Sequence, residues 1–236
     1  MCTRKIEGPA ADELAVYAGR DVRSLLIVAS GDPAGLARAF DSGADALVVD
    51  AAAGLPAGGP ALYLRVGGLD DPGAAAALAA AAALRPRGIV LAGAEGGGDV
   101  QRLGARLAVE EALLGLPDGT LRVLAFATET PQAIFGLPSY RGASGRLDGL
   151  VWSCSPLDAA LGASAARRAS GPLALARNLT LFAARAAGTL ALDAPFDDVR
   201  DLDGLRAEAV AARADGFDGK AAVHADQVGV INEVFG

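Results

Sequence analysis

Aromatic side chains are scarce: Phe, Trp and Tyr make up 5% of the 236 residues, and there are only two cysteines and one histidine. With 52% hydrophobic residues and so few rings, a core must be built from Ala, Val and Leu, which suits helices packed closely over a parallel sheet. The cysteines, Cys2 and Cys154, stand far apart and make no disulfide framework, in keeping with a reducing compartment. Basic charge is also short, with 21 Lys and Arg against 28 Asp and Glu and a formal charge of -7. Such a chain repels phosphate backbones, and no Lys/Arg cluster overrides the average, so a nucleic-acid partner is not expected. Long hydrophobic runs are missing too. The longest, Ala74 to Leu84, is mostly alanine and too short to cross a bilayer, so no membrane partner is expected. No apolar stretch of signal-peptide length follows Arg4-Lys5, and the expected location is the cytoplasm.

What is present is a regular alternation. Short runs rich in Leu, Val and Ala lie at 24–29, 46–50, 61–66, 88–93, 121–129, 147–154, 189–194 and 221–225. Most are apolar without alternation, the pattern of parallel strands covered on both faces. Asp32-Pro33 and Asp71-Pro72 supply helix starts between them, and Arg85-Pro86 a stop. Eight strands in βα alternation predict an α/β fold of the (β/α)8 TIM-barrel kind rather than an open sheet. The length suits one domain over 1–236, with 1–22 as an N-terminal extension. The stretch from Ala51 to Pro60 is too short and too rich in Gly and Pro for a helical crossover, so the barrel is expected to lack the helix between strands 2 and 3.

Chemistry in such barrels gathers where the strands end. That rule selects Ser30, Asp50, Arg65, Glu95, Glu129, Ser153 to Ser155, Asp193 and His224, an acidic mouth with one guanidinium.

A series of local sequences stands in a familiar order: Arg23-Ser-Leu-Leu-Ile-Val, the run from Ser42 to Asp50, Leu64-Arg65-Val66, Gly88-Ile-Val-Leu91, Thr128-Glu129-Thr130-Pro131 and Leu147-Asp-Gly-Leu-Val151. Ala183 to Gly188, Asp193, Phe196 to Asp201, Gly216 to His224, Gln227 and Ile231-Asn232 extend it to the C-terminal half. In this order the chain resembles the HpcH/HpaI aldolase family and its citrate lyase β-type members. The resemblance implies a carbon–carbon lyase, acting with Mg²⁺ on a small oxo or hydroxy acid or its coenzyme A or acyl-carrier thioester. It also implies a homo-oligomer, often a trimer. By the same resemblance Arg65 falls where the family holds a substrate carboxylate, and Glu129 falls on its first metal-binding carboxylate. Elementary chemistry agrees, since a metal ion polarises an oxo group and arginine grips a carboxylate at two points.

There are departures. Ser153-Cys154-Ser155-Pro156 replaces the family's acidic pair, so Pro156 stands at the second metal ligand and Asp158 is the nearest carboxylate. Gly93 replaces a usual lysine, and Ala51 to Ala53 an acidic continuation. The candidate set is therefore Arg65, Glu129 and Asp50 for catalysis, Arg65, Ser153 and Cys154 for substrate, and Glu129 with Asp158 for metal. The alternative is a family member without catalysis that serves as a ligand-binding or partner subunit.

Each candidate has a plainer reading. Arg65 can be a salt bridge to Asp50 or Glu129, Glu129 an anchor for the helix after Pro131, and Asp50 the cap of a turn. His224 reads as a hydrogen-bonded core imidazole and Cys154 as packing. Gly96-Gly97-Gly98-Asp99 reads as a flexible surface turn, and Arg167, Arg168 and Arg177 as solvated charges rather than a coenzyme site.

Overall fold

The computed structural model describes residues 22–28, 33–50, 59–162 and 170–236. Eight strands, β1 (Ser24–Ile27), β2 (Ala46–Asp50), β3 (Ala61–Arg65), β4 (Gly88–Leu91), β5 (Arg122–Phe126), β6 (Leu147–Val151), β7 (Leu190–Asp193) and β8 (Gly219–Ala222), lie in chain order. All pair in parallel and close into a barrel, β8 returning to β1 with Ser24 beside Lys220 and Leu25 beside Ala221. The expected (β/α)8 barrel is therefore the observed fold. Ser30, Asp32, Ala51 to Ala53, Arg167 and Arg168 lie outside the described residues, as does most of the connection expected to lack a helix.

The continuous apolar runs are explained by two separate cores. Alternate strand residues such as Leu25, Val48, Tyr63, Val90, Leu124, Phe126 and Leu192 form one cluster, filling the barrel. Their neighbours Leu26, Leu47, Leu64, Ile89, Val123 and Ala191 form the other with helix residues such as Leu78, Leu103 and Leu205. Both faces of each strand are thus dry, and each fully buried leucine contributes roughly 1.5–3 kcal/mol.

The outer layer comprises α1 (Pro33–Phe40), α2 (Ala74–Ala83), α3 (Gly97–Leu114), α4 (Pro131–Gly136), α5 (Ser155–Leu161), α6 (Gly171–Ala187), α7 (Leu202–Asp215) and α8 (Ala225–Phe235). A 3-10 turn, Leu137–Tyr140, continues α4. Asp71 does not cap α2. Its carboxylate accepts the Gly68 N–H at 2.7 Å in the preceding turn, and α2 starts at Ala74 after Gly73. Among the described residues no helix is long and apolar enough to cross a membrane.

Strand 8 starts earlier than the sequence reading placed it, because Lys220 belongs to it. Lys220 is fully buried, its ammonium neutralised by Asp193 and Glu208, which lets a charged residue stand in an apolar run. One further irregularity lies between β5 and β6, where Val123 pairs with Leu147 but Leu124 pairs with Gly149. Asp148 is the extra residue of this bulge, a device that re-aims a side chain.

Candidate functional site

At the C-terminal mouth, Arg65 ends β3 directly beside Asp50, which ends β2. The Arg65 guanidinium lies 5.9 Å from the centroid of the Phe126 ring. Phe126 belongs to the inner core, so this contact aims Arg65 into the mouth. Among the described residues no hydrogen bond or ion pair engages that guanidinium, and the plainer reading, a salt bridge from Arg65 to Asp50 or Glu129, has no counterpart among those contacts.

Glu129 stands three residues past β5. Its carboxylate accepts the backbone N–H of Gly93 from the neighbouring loop. Burial pushes its carboxyl above the ordinary range, opposed by the Gly93 N–H and the charge of Arg65. Nor does Glu129 anchor the helix that follows, because the Thr130 hydroxyl accepts the Ala133 N–H at 3.1 Å and caps α4 itself. Gly93 has φ +63, the left-handed region, and open space where a Cβ would stand. A side chain there would enter the mouth at the cost of backbone strain.

Ser153 is tied to the end of β5. Its N–H donates to the Thr128 hydroxyl at 2.9 Å, and that hydroxyl donates back to the Ser153 carbonyl at 3.3 Å. Cys154 is 3% exposed and sits in an apolar cluster with Trp152, Leu157, Leu173, Ala176 and Ala194. Asp158, half-buried, is on α5, where its N–H donates to the Cys154 carbonyl. The described residues contain no group of three His, Cys, Asp or Glu side chains able to enclose a metal ion.

Two other strand-end expectations, and the reading of Arg177, are corrected. Asp193 faces outward, bonded at 2.8 Å by Arg177 Nε and at 3.0 Å by Lys220 Nζ. Arg177 is accordingly no solvated charge: it also pairs with Asp215 at 2.6 Å and lies 4.6 Å over the Phe217 ring. His224 is not a core imidazole. It caps α8, its Nδ1 accepting the Asp226 N–H at 3.3 Å while Gln227 reaches back to the His224 N–H.

The glycine loop is no flexible turn either. A Cβ on Gly97 would fall 2.1 Å from the Ser139 carbonyl oxygen, and one on Gly136 would fall 1.7 Å from that of Glu95. The Gly97 N–H donates to Ser139 Oγ at 2.8 Å. The loop that carries Gly93 is thus locked against the end of α4 by backbone contacts only glycine permits. Sequence reasoning missed the roles of Gly93 and Phe126. Phe126 carried a usable signal, as an aromatic at a strand end in a chain with few rings.

This geometry offers a cationic fork without a hydrogen-bond or ion-pair partner among the described residues, an aromatic floor beneath it and a half-buried carboxylate opposite, an arrangement suited to a small acid. The HpcH/HpaI aldolase/citrate lyase family model matches residues 44–225. The citrate lyase subunit beta of Leuconostoc mesenteroides subsp. cremoris is 30% identical over 190 residues, covering 80% of this chain and 62% of that protein. The chain thus spans less than two thirds of the length of the curated relatives it matches. Among solved structures, the Mycobacterium tuberculosis citrate lyase beta subunit complexed with oxaloacetate and magnesium superposes with a TM-score of 0.72 at 26% identity, covering 92% of this chain and 98% of that one. Protein CitE of the same organism, with magnesium, acetoacetate and coenzyme A, gives 0.73 at 25% identity, covering 92% and 82%. With the family model matched over most of its length and the same barrel in these structures, the chain belongs to the HpcH/HpaI aldolase/citrate lyase family.

Proposed function

We propose that the protein is a carbon–carbon lyase that cleaves or forms a bond between a small oxo-acid fragment and an acetyl-like fragment carried as a coenzyme A or acyl-carrier thioester. The observation that carries this reading is the Arg65 guanidinium, held over Phe126 at the mouth with no hydrogen-bond or ion-pair partner among the described residues. A half-buried cation left in that state suits a carboxylate gripped at two points. Asp50, its cross-strand neighbour, would act on the proton of the reacting hydroxyl, with Ser153 at the end of β6 on the substrate side.

Mg²⁺ fits this site only with help from the acid. Glu129 provides one carboxylate, one oxygen of which takes the Gly93 N–H, and Asp158 on α5 forms no three-ligand group with it. Mg²⁺ keeps several waters and accepts one or two carboxylates plus substrate oxygens, so Glu129 and the bound acid would hold it together. When bound it would supply Lewis-acid polarisation of the oxo group. Arg65 meanwhile orients the acid, and the Gly93 N–H keeps Glu129 turned toward it.

Calorimetry with oxaloacetate or pyruvate, with and without Mg²⁺, tests this directly. Neither ligand is expected to bind well alone, and each should tighten the other. Binding of neither in any combination would replace the lyase by a non-catalytic partner subunit, which the lost acidic ligand at Pro156 favours. Acid binding that ignores both Mg²⁺ and Glu129→Gln would point to metal-independent chemistry at the same mouth.

A homo-oligomer, a trimer by family resemblance, belongs to the same reading. Leu175 and Phe182, 58% and 67% exposed on α6, supply apolar surface for it. Light scattering should return a multiple of the 23.5 kDa chain, and a clean monomer would remove assembly from the proposal.

A further inference from the structure

The end of the barrel opposite the mouth carries several arginines, and at one place two of them share one carboxylate. Arg23 is gripped by both oxygens of Asp45, Arg146 by Glu111 and Asp118, and Arg185 by both oxygens of Asp218. Arg87, just before β4, and Arg122, first in β5, share a single carboxylate. Arg87 Nε donates to Asp148 Oδ2 at 3.0 Å and Arg122 Nε to Oδ1 at 2.8 Å. Asp148 is the bulge residue, 1% exposed, and also takes the Tyr63 hydroxyl at 2.7 Å. Tyr63 Oη in turn accepts a second contact from Arg87 Nε at 2.9 Å.

Two cations thus stand against one anion whose oxygens are both occupied. The two side chains are 36% and 23% exposed, and neither Nη pair has a partner among the described residues. Each guanidinium is anchored through Nε alone, which leaves its Nη nitrogens for another acceptor. Two such forks, held side by side by one carboxylate, present the donor pattern that grips oxyanions at two points each. Arg85, exposed two residues before Arg87, adds a third positive charge to the same loop.

We propose that the Arg87–Arg122 pair at the barrel floor is a binding site for a small, doubly charged oxyanion of the phosphate class, separate from the mouth. The site uses no residue of the lyase reading and stands or falls independently of it. A ligand there would tie β4 to β5 and act by stabilising the fold, through preferential binding to the native state.

The test follows backbone amide resonances of the isotope-labelled protein at low ionic strength while inorganic phosphate, and separately glycerol 3-phosphate, is added. Shifts are expected at Arg87, Gly88, Arg122 and Asp148, saturating with phosphate at millimolar concentrations, together with a rise in Tm. The tighter of the two ligands distinguishes a phosphate ester from the free ion. Arg87→Gln should weaken binding at least about tenfold, the scale of a lost charge-assisted pair, and Arg122→Gln should do the same if the first variant folds poorly. Three results would each overturn the site. They are shifts at Gly93 and Glu129 instead of the floor, no saturation by about 50 mM phosphate, or the same shifts from potassium chloride at matched ionic strength.

Discussion

Replacing Lys220 by Met is expected to cost about 3–5 kcal/mol of stability, the range for breaking a buried ion pair by removing one partner. Lys220 is fully buried, and its ammonium donates to Asp193 Oδ2 at 3.0 Å, the Ala194 carbonyl at 2.6 Å and Glu208 Oε1 at 2.6 Å. Methionine fills similar space but leaves Asp193 with Arg177 alone and the Ala194 carbonyl without this donor. Burial by itself would raise the Asp193 carboxyl, yet Lys220 and Arg177 outweigh it and hold the group below the usual carboxylate range. A depressed folded pKa means that Asp193 adds stability above its unfolded value and loses it only as pH falls through the lowered one. Losing Lys220 raises that folded value and narrows the window, so the gap between variant and parent should be full at neutral pH and shrink as pH falls below the ordinary aspartate value of about 3.9. Urea unfolding at pH 7 and at about pH 3 reads both effects. A loss under about 1 kcal/mol with an unchanged m-value would show that the ammonium is not the pillar described.

Arg65→Lys is expected to leave stability nearly intact and to reduce affinity for an oxo acid by roughly 10- to 100-fold, about 1.4–2.7 kcal/mol. The two variants contrast because their partners do. Lys220 gives up three protein contacts, whereas no hydrogen bond or ion pair of the described residues is lost with Arg65, only its place over Phe126. Lysine keeps the charge and loses the planar fork, so an unchanged affinity would show that two-point recognition is not how the mouth holds an acid. Measuring the thermal midpoint alongside affinity separates a lost clamp from a disturbed barrel.

The barrel was legible because its signal is repeated eight times: each strand is an apolar run buried on both faces, and strand identity survives errors at its ends. Those ends were less legible. Strand 8 was shifted because a lysine in a run of small residues reads as a break until Asp193 and Glu208 are placed beside it. Asp193 was assigned to the mouth because position along a strand is readable while facing direction is not, and one residue decides between core and outer layer. The bulge at Asp148 and the contact between Gly136 and Glu95 depend on segments distant in sequence meeting at short range, for which one sequence carries no local mark. For Arg65 and Glu129, family order and strand ends point to the same positions. Gly93 was read only as a missing lysine, since a backbone N–H has no letter in a sequence.

That Gly97 and Gly136 let two backbones touch gives the rim of the barrel a mechanical asymmetry. On one side the segments carrying Gly93 and Glu129 are bolted together and can tilt only as a unit, so a ligand that draws Glu129 away from the Gly93 N–H must do so by rotating the side chain, not by parting the segments. Side-chain rotation takes picoseconds to nanoseconds, whereas loop opening takes nanoseconds to microseconds. Here the faster movement suffices, and the carboxylate can exchange one partner for another while the wall behind it stays still.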